Sequence, residues 1–153
     1  MNMKQLNILL ADDDTDDCLF FKDALEGMPI STELTAVHNG EQLMDLLNRA
    51  KQLPDILFLD LNMPRKNGFE CLSEIKGNKK LEPLPVVVFS TSYEQEVVNL
   101  LYHNGAQYFI RKPSEFSQFK KIILHVLTIV AASNISNKGI ADFVLTVESS
   151  LVI

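Results

Sequence analysis

Cysteine is scarce: Cys18 and Cys71 are the only two, far apart and outside any CxxC spacing or histidine cluster. That excludes a disulfide framework and a thiolate metal site, and both read as small buried hydrophobes in a reduced compartment. Basic charge is short too, with 14 Lys and Arg against 20 Asp and Glu and a net charge of −6. Nucleic-acid binding rests on clustered cations that neutralise phosphates, so no nucleic-acid partner is expected. An acidic protein instead favours basic patches or metal ions. Long apolar runs are missing. The longest late stretch, Ile122 to Ala132, contains His125 and falls well short of the roughly 20 residues of a bilayer span, so no membrane partner is expected. Met1 to Gln5 leads straight into a strand-like run without the apolar region or cleavage site of a signal peptide, which points to a cytoplasmic location.

What is present suits one soluble globular domain: 153 residues, 46% apolar and 22% charged. Strand-like and helix-like segments alternate along it. Leu6 to Ala11 is strand-like, and Thr15 to about Glu26 changes to helical spacing. Glu33 to Val37 reads as a second strand, followed by a helix opened by Asn39-Gly40 with Leu43, Leu46 and Leu47 in a stripe. Ile56 to Leu59 is continuously apolar, as expected of a strand covered on both faces. Asn67-Gly68 opens a third helix, and Val86 to Phe89 gives a fourth strand. A helix from about Glu94 to His103 and a strand from Tyr108 to Ile110 follow, and Ser114 is placed to cap a last helix. Gly68 and Gly105 read as turn formers that tolerate positive φ. Such alternation predicts an open α/β sheet with helices on both faces and a ligand site at the carboxyl ends of the strands.

Those strand ends carry Asp12 and Asp13, then Asp60, then Ser90-Thr91, then Lys112-Pro113; the second strand ends in Val37-His38 and offers nothing comparable. An acidic pocket with one hydroxyl and one ammonium suits phosphoryl transfer onto a carboxylate. The incoming group is anionic, so a divalent cation has to intervene. Mg²⁺ is commonly held by one or two carboxylates with phosphate oxygens and water, which matches Asp12 or Asp13 with Asp60. Lys112 balances charge on the transferred group and Ser90 donates to it, so stabilisation is mostly positioning and electrostatics.

The motifs Ile8-Leu9-Leu10-Ala11-Asp12-Asp13, Asp60-Leu61-Asn62-Met63-Pro64 with Gly68, Ser90-Thr91-Ser92 and Lys112-Pro113 resemble those of the receiver domain of two-component response regulators, over about residues 6 to 128. The resemblance implies a flavodoxin-like, doubly wound, five-stranded parallel sheet of order 2-1-3-4-5. It implies Asp60 as phosphoacceptor, and Mg²⁺ held by Asp12, Asp13, Asp60 and the backbone carbonyl of Asn62. Ser90 and Lys112 attend the phosphoryl group, and Ser90 with Phe109 forms the switch. Phe109, three residues before Lys112, has no hydroxyl, which puts in doubt any output step needing a tyrosine hydrogen bond. The family often has the Lys112–Pro113 bond cis. The implied donor is a sensor histidine kinase or phosphotransfer protein, acting on a phosphoacceptor that is not an enzyme beyond its own phosphorylation and dephosphorylation. A downstream protein of unknown identity and a monomer or weak homodimer complete the expectation.

Plainer roles are expected elsewhere. Asp14, Asp16 and Asp17 read as acids at a helix start, favoured by the dipole. An EF-hand over the same run fails, because Asp17 stands where Gly is required and Asp23 where a bidentate Glu should be. Arg65 and Lys66 read as a solvated loop, and His38, His103 and His125 as ordinary surface or helix-face residues. A small haloacid-dehalogenase-like phosphatase is the enzyme alternative, but it needs an acid two residues beyond Asp60, where Asn62 stands. A receiver-like binding module that is never phosphorylated is the third possibility. The domain is expected over 1–130, with 131–153 as an extension lacking a separate output domain. Within it Ala131 to Gly139 reads as a linker, and Phe143-Val144-Leu145 as a short apolar cluster packed loosely against the domain.

Overall fold

Strands that are apolar on both faces, alternating with helices that are apolar on one, force a sheet between two helix layers. A computed structural model describes residues 5–132 and 143–146 of the chain. Most of the expected linker and much of the extension, residues 133–142 and 147–153, lie outside the described residues. In chain order the elements are β1 (Leu6–Ala11), α1 (Thr15–Leu25), β2 (Thr32–Val37), α2 (Gly40–Arg49), β3 (Ile56–Asp60), α3 (Gly68–Lys76), β4 (Val86–Ser90), α4 (Gln95–His103), β5 (Tyr108–Arg111), α5 (Phe116–Ala131) and β6 (Val144–Leu145). None of the described helices is long and apolar enough to cross a membrane.

The strands lie in the order β2-β1-β3-β4-β5-β6, every neighbouring pair parallel. This is the expected 2-1-3-4-5 order with a sixth strand added. Alternating side chains build a core on each face. Ile8, Leu10, Phe58, Phe89 and Ile110 pack with Phe21 of α1 and with Phe119 and Ile123 of α5. Their neighbours Leu9, Leu57, Leu59, Val88 and Phe109 face the other way, onto Leu43 and Leu47 of α2, Leu72 and Ile75 of α3, and Val98 and Leu101 of α4.

Local capping explains where most helices start. Asp14 accepts from the backbone N–H groups of Asp16 and Asp17 at the start of α1, and Asn39 accepts from Gln42 at the start of α2. Asn67 and Glu70 form a reciprocal capping box at α3. Ser114 does not cap α5. That helix starts at Phe116, so Glu115 takes the cap position and makes no side-chain cap bond, leaving Ser114 one residue too early. Phe116, the first residue of the helix, is 38% exposed.

The apolar cluster Phe143-Val144-Leu145 is tighter than loose packing. Phe109 donates its backbone N–H to the Phe143 carbonyl at 3.0 Å, and Phe109 and Ile110 stand opposite Val144 and Leu145. The Phe143 ring is 2% exposed and meets Tyr102 of α4 edge-on at 5.4 Å. So β6, not β5, ends the sheet on this side among the described residues. Phe143→Ala removes a buried ring with its aromatic partner and is expected to destabilise the fold by about 3 kcal/mol. Urea unfolding of the two proteins measures this, and a change below about 0.5 kcal/mol would mean that β6 is not docked in solution.

Candidate functional site

The parallel register places the chemistry. Asp12 follows β1, Asp60 is the last residue of β3, Ser90 is the last of β4 and Lys112 follows β5, so all four gather at one edge of the sheet. The backbone pins the end of this row: the Lys112 N–H donates to the Ser90 carbonyl at 2.8 Å. Asp12, Asp60 and Ser90 are buried, and Asp13 is exposed. One carboxylate oxygen each from Asp12, Asp13 and Asp60 lies within 4.8 Å of the others.

Gly68 sets the depth of the crevice, for a different reason than its sequence suggests. Positive φ occurs at Gly27 and Gly105 but not at Gly68. Instead a Cβ on Gly68 would sit 2.5 Å from the Asp60 carbonyl oxygen and 2.8 Å from the Leu61 Cα. Only glycine lets the start of α3 approach the end of β3 this closely.

Lys112 organises the charges. Its Nζ donates to Asp12 Oδ2 at 3.1 Å and to Asp17 Oδ2 at 2.8 Å, lies 3.9 Å from Asp60 Oδ1 and rests 4.5 Å from the centre of the Phe89 ring. Asp12 Oδ1 accepts from the Asp14 N–H at 3.0 Å, and the nearby Asn62 N–H favours the ionised form of Asp60. Burial pushes Asp60 up to about 7, helped by the charge of Asp12 and opposed by Lys112. Burial likewise raises Asp12, against the Asp14 N–H and Lys112. Burial alone would lower Lys112, but the hydrogen bond to Asp17 and the charges of Asp60 and Asp12 raise it above the ordinary lysine value, so it stays protonated. Ser90 Oγ faces Ser92, accepting from the Ser92 N–H at 3.3 Å. Among the described residues no peptide bond is cis, Lys112–Pro113 included.

Phe109 is buried on the α4 side of the sheet, where Tyr93 of the β4–α4 loop meets it edge-on at 6.0 Å. Arg65 and Lys66 pair with Glu41 and Glu74 rather than with the carboxylates of the crevice. Cys71 is buried and Cys18 half-buried, and burial pushes both thiols up to about 11, well away from thiolate chemistry. Two contributors were missed from sequence. Asp17 looks like any first-turn acid, and only its place at the start of the helix that follows Asp12 could have marked it. Tyr93 carries no local signal.

The sequence model of the response regulator receiver domain matches residues 8–124. The chain belongs to this family. Among curated relatives, the receiver is 31% identical to the response regulator Rcp1 of Synechocystis over 76% of its length and 82% of that protein. It is 28% identical to the probable methanogenesis regulatory protein FilR2 of Methanothrix harundinacea, covering 76% and 77% of the two chains. Among solved structures, the phosphorylated cyanobacterial phytochrome response regulator RcpA superposes with a TM-score of 0.79 at 29% identity, over 85% of this receiver and 96% of that chain. The Mn²⁺-bound form of Rcp1 gives 0.73 at 29% identity, over 80% and 92%.

The receiver's donor set suits a hard divalent cation: oxygen ligands only, clustered carboxylates and an adjacent ammonium that leaves the net charge negative. Without such a cation the buried Asp60 is held against its preference for the neutral form. Its folded pKa lies above the ordinary 3.8, so the folded state binds a proton that the unfolded chain has released, and stability falls as pH rises from about 4 to about 7. Asp60→Asn is therefore expected to raise the Tm of the protein in chelator at pH 8, with the gain shrinking towards pH 5. A gain that does not depend on pH would contradict this origin.

Proposed function

We propose that this receiver domain accepts a phosphoryl group on Asp60 from a phosphohistidine of a sensor kinase or phosphotransfer protein, and that the modified form switches a protein-binding face. The observation that carries it is the position of the Asp60 carboxylate at the end of a central strand, within 4.8 Å of oxygens of Asp12 and Asp13 and 3.9 Å from an ammonium. An Asp60 oxygen forms the new bond to phosphorus while the phosphorus–nitrogen bond of the donor breaks, and the imidazole keeps the electron pair and takes up a proton. Lys112 carries positive charge to the side of the crevice where the transferred oxygens gather, and the Ser90 hydroxyl supplies a donor. Asp12, Asp13 and Asp60, with the Asn62 carbonyl, would hold Mg²⁺, which when bound would supply charge neutralisation for the incoming phosphoryl group.

The proposed role is that of a phosphoacceptor rather than a turnover enzyme. Asn62 stands exposed two residues beyond Asp60, where an aspartyl-phosphate phosphatase needs an acid. The switch would run through Ser90 and Phe109 to the surface made by α4, the outer strands and α5, in a cytoplasmic protein. In this chain that surface includes β6, which shields the outer edge of β5.

Incubation with acetyl phosphate and Mg²⁺ is expected to add one phosphoryl group in an acid- and base-labile form, lost in Asp60→Asn and in the presence of chelator. Intact-protein mass spectrometry reads this. A wild-type chain that gains no Mg²⁺-dependent group at Asp60 would return the chain to the unphosphorylated binding module.

A further inference from the structure

We infer that Asp17 is a positioning residue for phosphoryl capture, the anchor that keeps Lys112 in the crevice once a divalent cation claims Asp12. The inference rests on Asp60 as phosphoacceptor and adds a residue to it. The Lys112 ammonium has three donors and no acceptor. Two are spent on carboxylates, Asp17 at 2.8 Å and Asp12 at 3.1 Å, and the closest further carboxylate is Asp60 at 3.9 Å, beyond hydrogen-bond length. The ammonium is thus held 3.9 Å from the acceptor carboxylate with one donor not spent on a carboxylate.

The two anchors are not equivalent. Asp12 belongs to the cluster whose oxygens converge within 4.8 Å, and Asp17 does not. A cation in that cluster competes with Lys112 for Asp12 but leaves Asp17 untouched. Asp17 also gives the shorter bond, and it is the first of the interactions that raise Lys112. The backbone that carries it is fixed by the helix start: Asp14 accepts from the Asp17 N–H at 3.2 Å in the first turn of α1. The ammonium also rests over the Phe89 ring, 4.5 Å from its centre. Without Asp17, the four-carbon stem of Lys112 regains rotamers that leave the crevice, along the flank lined by Phe20, Thr91 and Pro113.

The test is calorimetric titration of beryllofluoride, a phosphoryl mimic, into the full chain at saturating Mg²⁺, with Mg²⁺ affinity measured separately. Asp17→Asn and Asp17→Ala are expected to weaken beryllofluoride binding about tenfold or more, the loss typical of one hydrogen bond to a charged group. Labelling by acetyl phosphate slows in parallel, while Mg²⁺ affinity changes less than about threefold. Asp17→Glu restores most of the binding. Asp16→Asn is the control, since it removes a neighbouring first-turn acid that makes no bond to Lys112 and so reads the loss of local negative charge without the loss of the hydrogen bond. The inference is overturned if Asp17→Asn matches wild type, if it binds the mimic more tightly, if Mg²⁺ affinity falls in step, or if Asp16→Asn loses as much. Failure of the wild type itself to bind beryllofluoride would instead remove the phosphoacceptor role of Asp60.

Discussion

One ammonium group lies within 4 Å of three carboxylates, and the arrangement of the whole carboxyl edge of the sheet depends on it. Asp12 and Asp60 are buried, and each is raised towards its neutral form by burial. Removing Lys112 would leave buried like charges uncompensated, the situation in which breaking an ion pair costs far more than the pair itself contributes. The lysine in turn is held by the sheet, because its own N–H donates to the Ser90 carbonyl and so fixes where the side chain begins. Strand register and site geometry are therefore one constraint. A one-residue slip of β5 against β4 would move Lys112 off the crevice and turn Phe109 to the opposite face.

The same parity links the crevice to the far side of the domain. Tyr108 and Ile110 face α5, whereas Phe109 between them faces α4, and its N–H is the group that recruits the Phe143 carbonyl. Phe109 therefore joins β6 to the sheet through its backbone and packs with Tyr93 through its ring. A rearrangement of Phe109 that leaves its peptide in place moves the ring without unzipping β6. One that rotates the peptide does both.

How much of this could be read from the sequence follows from how local each signal is. The buried strands declared themselves because Ile56 to Leu59 and Val86 to Phe89 are apolar at every position, which few other environments tolerate. Asn67 and Glu70 encode a helix start within four residues. Lys112 was legible as a partner of the acids only through its place after the fifth strand and the family resemblance. Asp17 was not, because Asp14, Asp16 and Asp17 are chemically alike, and the helix phase that points one of them at a lysine 95 positions away is a tertiary fact. Gly68 was recognised as special but for the wrong cause, since a close approach of backbone to backbone leaves no trace in the residue itself. Phe143-Val144-Leu145 is too short for a period to emerge, and it becomes a strand only because β5 offers an unpaired edge beside an apolar α4.

The missing hydroxyl at Phe109 then takes on a definite meaning. A tyrosine at a switch position needs a polar exit for its oxygen, whereas Phe109 is 1% exposed and sits among Val88, Leu101 and Phe143 without any such need. The polar end of the aromatic pair belongs to Tyr93 instead, whose hydroxyl donates to Gln95 Oε1 at 2.8 Å at the start of α4. Tyr93 lies three residues after Ser90, on the loop whose Ser92 is already bonded to the Ser90 hydroxyl. Under the proposed function, a Ser90 hydroxyl drawn towards a phosphoryl group lets go of Ser92, and the first aromatic ring along that loop is Tyr93. Phe109 would then respond through ring packing, and the loop, not β5, would carry the polar part of the switch.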